Sequence, residues 1–110
     1  MKIIKKLKNK GYKIVLLSNA NASFFERKVY PTYPEFKNLF NEIIISSEIG
    51  MIKPNRDIYE YTLKKIDSTH EESLLIDDSK INVDGAIALG MKGFVYTDRF
   101  AFNTYINSTM

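Results

Sequence analysis

Cysteine is absent from the 110 residues, and so is tryptophan. Without a thiol, disulfides, thiolate nucleophiles and cysteine-based zinc sites are all excluded. Histidine occurs once, at His70 in the polar stretch 67–72. It reads as a solvated loop residue, and a single imidazole does not build a histidine-rich metal centre. No apolar run is long enough to span a bilayer. The basic start leads into an amphipathic segment rather than a signal-peptide core. The expectation is therefore a soluble cytoplasmic protein that engages no membrane.

Charge of one sign is also scarce: 16 basic residues against 13 acidic leave a net +3. Much of the excess gathers at Lys2, Lys5, Lys6, Lys8, Lys10 and Lys13. A run of this kind reads as the wet face of a helix, so no nucleic-acid partner is expected. Apolar material is not scarce. At 45% hydrophobic and 13% aromatic the chain can bury a core, which excludes a disordered tail.

Four short apolar runs, at 13–18, 42–46, 73–77 and 93–97, are continuous rather than alternating. That pattern predicts strands covered on both faces, as in a parallel sheet between helices. Helical patterns separate them. Ile3, Ile4 and Leu7 share a face that Gly11 should end. Residues 57–66 follow Pro54, and residues 82–89 run to Gly90. The stretch 21–39 should begin helical, break at Pro31 and Pro34, and make one short turn over 35–40. The predicted class is α/β, a Rossmann-like layered fold. Residues 1–98 form its core and 99–110 a tail, which packs as a final helical turn or stays loose.

In an open parallel sheet, ligands bind beyond the carboxyl ends of the strands. The first strand ends in Ser18-Asn19, the second runs towards Lys53-Pro54, and the third ends in Asp77-Asp78-Ser79. Hydroxyl, amide, ammonium and a carboxylate pair thus converge on one edge. This set suits a phosphoryl group held beside a divalent cation. Each feature also has a plainer reading: a turn, a solvated lysine, a helix cap.

Val15-Leu-Leu-Ser-Asn19 resembles the second motif of the haloacid dehalogenase-like superfamily. Gly50-Met-Ile-Lys-Pro-Asn-Arg-Asp-Ile-Tyr59 resembles its third, and Leu74-Leu-Ile-Asp-Asp78 with Asn82, Gly85, Ala86, Gly90 and Met91 its fourth. The similarity runs from Ile3 to Tyr96. Ser18-Asn-Ala-Asn21 and Tyr33-Pro34-Glu35 are similar to the bacterial glucose-1-phosphate phosphatase branch, although Phe24 stands where that branch often has a histidine.

The resemblance implies a magnesium-dependent phosphatase acting on a small phosphorylated metabolite, such as a sugar phosphate, through a phosphoaspartyl intermediate. Ser18 and Asn19 would bind the phosphoryl group, with Lys53 balancing its charge. Asp78 would ligate Mg2+, Asp77 would assist catalysis, and Asn82 would support the loop. The family's nucleophile is the first aspartate of a D-x-D pattern, and no such pattern occurs in these residues. The expectation is thus an incomplete core: the family's second to fifth strands without its central nucleophile strand or its cap. Alone it would be inactive, and an N-terminal complementing segment would be its partner. The alternatives are a metal-independent 2-haloacid dehalogenase-like hydrolase and a non-catalytic interaction domain that kept the fold. The acidic pair at 77–78 speaks against the first, because it suits an attacking carboxylate only with a cation between them.

Overall fold

The computed structural model describes residues 2–109. The first helix, α1 (Lys2–Asn9), turns Leu7 into the core. It ends where the sequence predicts. Gly11 adopts a left-handed φ of 94°, so its N–H reaches the Lys8 carbonyl and the Tyr12 N–H reaches that of Leu7. This closure satisfies the last carbonyls of the helix and aims the chain into β1 (Val15–Ser18).

Among the described residues four strands form two parallel pairs. β1 runs beside β2 (Glu42–Ile45), in register from Val15↔Glu42 to Ser18↔Ile45. Further along, β3 (Leu74–Asp77) runs beside β4 (Lys92–Val95), from Leu74↔Lys92 to Asp77↔Val95. Among the described residues no ladder joins β1 to β3. The fold is the predicted α/β layer, with its sheet in two narrow parts.

Between β1 and β2 the chain is helical at first and then irregular. α2 (Ala22–Phe24) starts at Asn21, whose side-chain oxygen accepts the Ser23 N–H at 2.9 Å. It widens at once into a π-type turn, Phe25–Val29, with the Tyr30 N–H reaching back to the Phe25 carbonyl. Pro31 follows, and a short 3-10 turn occupies Phe36–Leu39. Phe25 is buried, and its ring packs near those of Tyr30 and Phe36.

Several boundaries differ from expectation by one or two residues: β1 starts at Val15, and β4 runs over Lys92–Val95. The second strand stops at Ile45, and Ser46 opens a single helical turn, α3 (Ser46–Ile49). Gly50, at φ 69°, closes that turn by donating its N–H to the Ser46 carbonyl. A non-glycine residue would resist that conformation. α4 (Arg56–Lys65) and α5 (Lys80–Ala88) cover the sheets. The second starts two residues earlier than predicted, because the Ser79 hydroxyl accepts the Asn82 N–H as an N-cap. The last segment is ordered: α6 (Arg99–Thr109) stacks Tyr105 on Phe94 at 4.4 Å and buries Ile106. Asp98 begins it by accepting the Ala101 N–H. No helix among the described residues is long and apolar enough to cross a membrane.

The core spans both strand pairs. Ile58, Tyr59, Leu75 and Ala86 form its centre, and Leu17 of β1 packs against them alongside Met51, Leu89 and Met91. Among the described residues a hydrophobic contact therefore links the halves where no strand ladder does. Gly85 shapes the seat of the turn that carries Lys53. A Cβ there would lie 2.9 Å from Pro54 Cβ, so its absence lets the Lys53–Pro54 turn, whose peptide is cis, rest directly on α5.

Candidate active site

The ends of β1 and β3 are brought together, and of the side chains singled out from sequence Lys53, Asp77, Asn19 and Asn82 are joined there by hydrogen bonds. Lys53 is central. Its ammonium donates to Asp77 Oδ2 at 2.7 Å and to the Leu17 carbonyl at 2.8 Å. One nitrogen thus ties the end of β1 to the end of β3. Both Lys53 and Asp77 keep only 9% of their side-chain surface exposed.

Asp77 is fully engaged. Beyond Lys53, its Oδ1 accepts the Ser79 N–H at 2.9 Å and its Oδ2 accepts the Asn82 side-chain amide at 3.2 Å. Burial pushes its carboxyl up. The Lys53 hydrogen bond, the Ser79 N–H and the Lys53 charge, with Asp78 adding to them, outweigh burial and hold it below the usual 3.8. Asp77 is thus ionised across the neutral range. Asn82 is steadied in turn, since its main-chain carbonyl accepts the hydroxyl of buried Tyr59 at 2.7 Å. Burial first, and then the nearby Asp77 charge, push that phenol up to about 12, so it stays a donor.

Ser18 ends β1, and its Oγ accepts the Ala20 N–H at 3.0 Å. Asn19 is exposed, but its carboxamide is committed: Nδ2 donates to the Lys53 carbonyl at 3.1 Å and Oδ1 accepts the Lys53 N–H at 3.0 Å. Asp78 is exposed beside Asp77. Lys53, Asp77, Asn19 and Asn82 therefore form one bonded unit, with Ser18 and Asp78 at its margins. The Leu17 carbonyl, the Tyr59 hydroxyl and the Ser79 cap also belong to this unit. Sequence reasoning missed the first two, because main-chain acceptors carry no residue signal and Tyr59 reads as core. His70 departs from the solvated reading: its Nε2 lies 2.9 Å from Glu60 Oε1 and it is only partly exposed. That contact borders an open groove of about 730 Å³ along α4, away from the strand ends.

A Rossmann-like α/β layer that gathers a buried lysine–carboxylate pair beyond its strands places the candidate site where open parallel sheets bind ligands. The chain belongs to the haloacid dehalogenase-like hydrolase family, whose model matches residues 1–96. A sesquiterpene phosphatase of Aspergillus oryzae is 34% identical over 99 residues, covering 90% of this chain and 50% of its own length. A glyceraldehyde 3-phosphate phosphatase of Methanothermobacter thermautotrophicus is 32% identical over 92 residues, covering 81% of this chain and 39% of its own. A solved family enzyme of Bacteroides thetaiotaomicron, in complex with magnesium and inorganic phosphate, aligns with TM-score 0.78 at 28% identity, over 92% of this chain and 54% of that one. The chain thus spans half the length, or less, of these curated relatives.

Among the described residues no three histidine, aspartate or glutamate side chains gather into a ready-made metal cluster. Magnesium does not require one. It is held by one or two carboxylates, with water and substrate oxygens completing the shell. Asp78 is a donor of the right kind at the right edge, whereas both oxygens of Asp77 already have partners. The residues present fit part of a magnesium shell.

Proposed function

We propose that this chain supplies the phosphate- and metal-binding side of a magnesium-dependent phosphatase acting on a small phosphorylated metabolite. The observation that carries this reading is the Lys53 ammonium, fixed by Asp77 and the Leu17 carbonyl between two strand ends, with Ser18 the next residue after Leu17. A cation held in place before substrate arrives can meet developing negative charge without reorganising. The phosphatase names of two relatives support the reaction class.

The residue roles follow from position. The Ser18 hydroxyl and the Asn19 main-chain N–H would donate to phosphoryl oxygens. Lys53 would balance the charge that builds on the phosphoryl group and the attacking carboxylate. Asp77 holds the ammonium in place, and Asn82 steadies Asp77. Asp78 would hold Mg2+, which when bound polarises the phosphoryl oxygens. The attacking carboxylate would come from a complementing strand, with β1 and β3 as its neighbours.

The test supplies that complement, a peptide or fused segment bearing an apolar strand ended by D-x-D. Phosphate release is then followed across a metabolite panel with and without Mg2+. Release that needs Mg2+, and that falls on the order of 10²–10³-fold in Lys53→Ala, is the expected result. Hydrolysis of a 2-haloacid without metal, or no turnover when the complement demonstrably binds, would overturn it.

A further inference from the structure

The Asn19 carboxamide stands out because neither of its polar atoms points at the open edge. Nδ2 donates to the carbonyl of Lys53 and Oδ1 accepts the N–H of the same residue, at 3.1 and 3.0 Å. A planar amide that satisfies both main-chain groups of one residue mimics a strand partner and fixes that residue's position and orientation. The two residues are 34 apart in sequence. Asn19 is exposed, so its amide could equally have been solvated at no cost. The same turn is also seated by Pro54 against Gly85 of α5. Lys53 is therefore gripped at its main chain by Asn19, one residue past β1, and at its ammonium by the Leu17 carbonyl two residues before Asn19.

The geometry points to Asn19 as the positioning residue of Lys53: its side chain serves to set where the ammonium stands, and not to contact substrate. This rests on the proposed function only for the meaning of Lys53. The clamp itself is independent of turnover, and so is its test.

The experiment is competitive amine labelling of the full chain with an acylating reagent, reading each lysine separately by mass spectrometry. In the wild type, Lys53 should label far more slowly than exposed Lys80. In Asn19→Ala the ammonium loses its fixed placement, and Lys53 labelling should rise about tenfold while the other lysines keep their rates. Asn19→Asp retains an acceptor for the Lys53 N–H but no donor for its carbonyl, and should fall between the two. Asn21→Ala, which removes a helix cap and no contact to Lys53, should leave Lys53 slow. Wild-type labelling of Lys53 in Asn19→Ala with its amide spectrum intact would overturn the proposal. If Asn19→Ala fails to fold, Asn19→Asp takes its place: an unchanged Lys53 rate there overturns the proposal too. A general rise across all lysines would mean loosening of the whole fold and would also overturn it. None of these outcomes depends on whether a completed enzyme hydrolyses phosphate.

Discussion

Two lysine–aspartate pairs in this molecule have the same chemistry and the same length, yet they do different things. Lys53 and Asp77 meet at 2.7 Å between the strand pairs, with 9% of each side chain exposed. Lys80 and Asp84 meet at 2.7 Å one turn apart on the outside of α5, with 75% and 56% exposed. Distance does not separate them. Burial and additional partners do. The outer pair trades water for a single contact, and such pairs typically contribute about 0.2–1 kcal/mol. The inner pair is tied into Leu17, Ser79 and Asn82, so removing one member strands a charge that has nowhere else to go.

The widest separation should come from deleting the acids. Asp77→Ala leaves the Lys53 ammonium with only a carbonyl, and should lower unfolding free energy by about 3–5 kcal/mol, measured by urea titration. A loss no larger than that of Asp84→Ala would erase the contrast. Next comes pH. Asp77 titrates below 3.8 in the folded chain, so its stabilisation is whole above the ordinary carboxylate range and is lost as pH falls through the lower, folded value. Stability profiles of the wild type and Asp77→Asn should converge as the solution becomes strongly acidic and stay apart above about pH 4. Parallel profiles throughout would mean that Asp77 is not the group responsible. The smallest effect sharpens the other side. Asp84→Ala should change stability by less than about 0.5 kcal/mol, and 1 M salt should abolish even that difference, because exposed pairs are screened over a Debye length of about 3 Å.

The inner pair was legible in the sequence as far as residue types and their placement at strand ends could carry it. Continuous apolar runs located the four strands, the polar residues that end two of them located Ser18 and Asp77, and the stretch following the second strand located Lys53. The bond between Lys53 and Asp77 follows once both are there. What sequence did not reveal depends on main-chain groups brought from afar. The Leu17 carbonyl under Lys53 and the Asn19 amide across the Lys53 peptide are contacts that any residue's backbone could make. The π-type turn after Phe24 and the helical turn at Ser46 were hidden for a related reason. Both are set by how neighbouring segments close, through Tyr30 onto Phe25 and Gly50 onto Ser46, and local propensity is a weak guide there. The tail was ambiguous because Phe102 and Tyr105 gain from helix only when Phe94 and Tyr96 offer rings to pack on.

The Leu17 carbonyl has one more consequence. It is the last acceptor but one along β1, and it already holds an ammonium. An extended segment sliding in alongside β1 would meet this stopper before reaching the end, and would have to halt beneath it or evict it. For the complementing strand proposed above, Lys53 would thereby act as a depth gauge, setting which residue comes to rest directly under the positive charge.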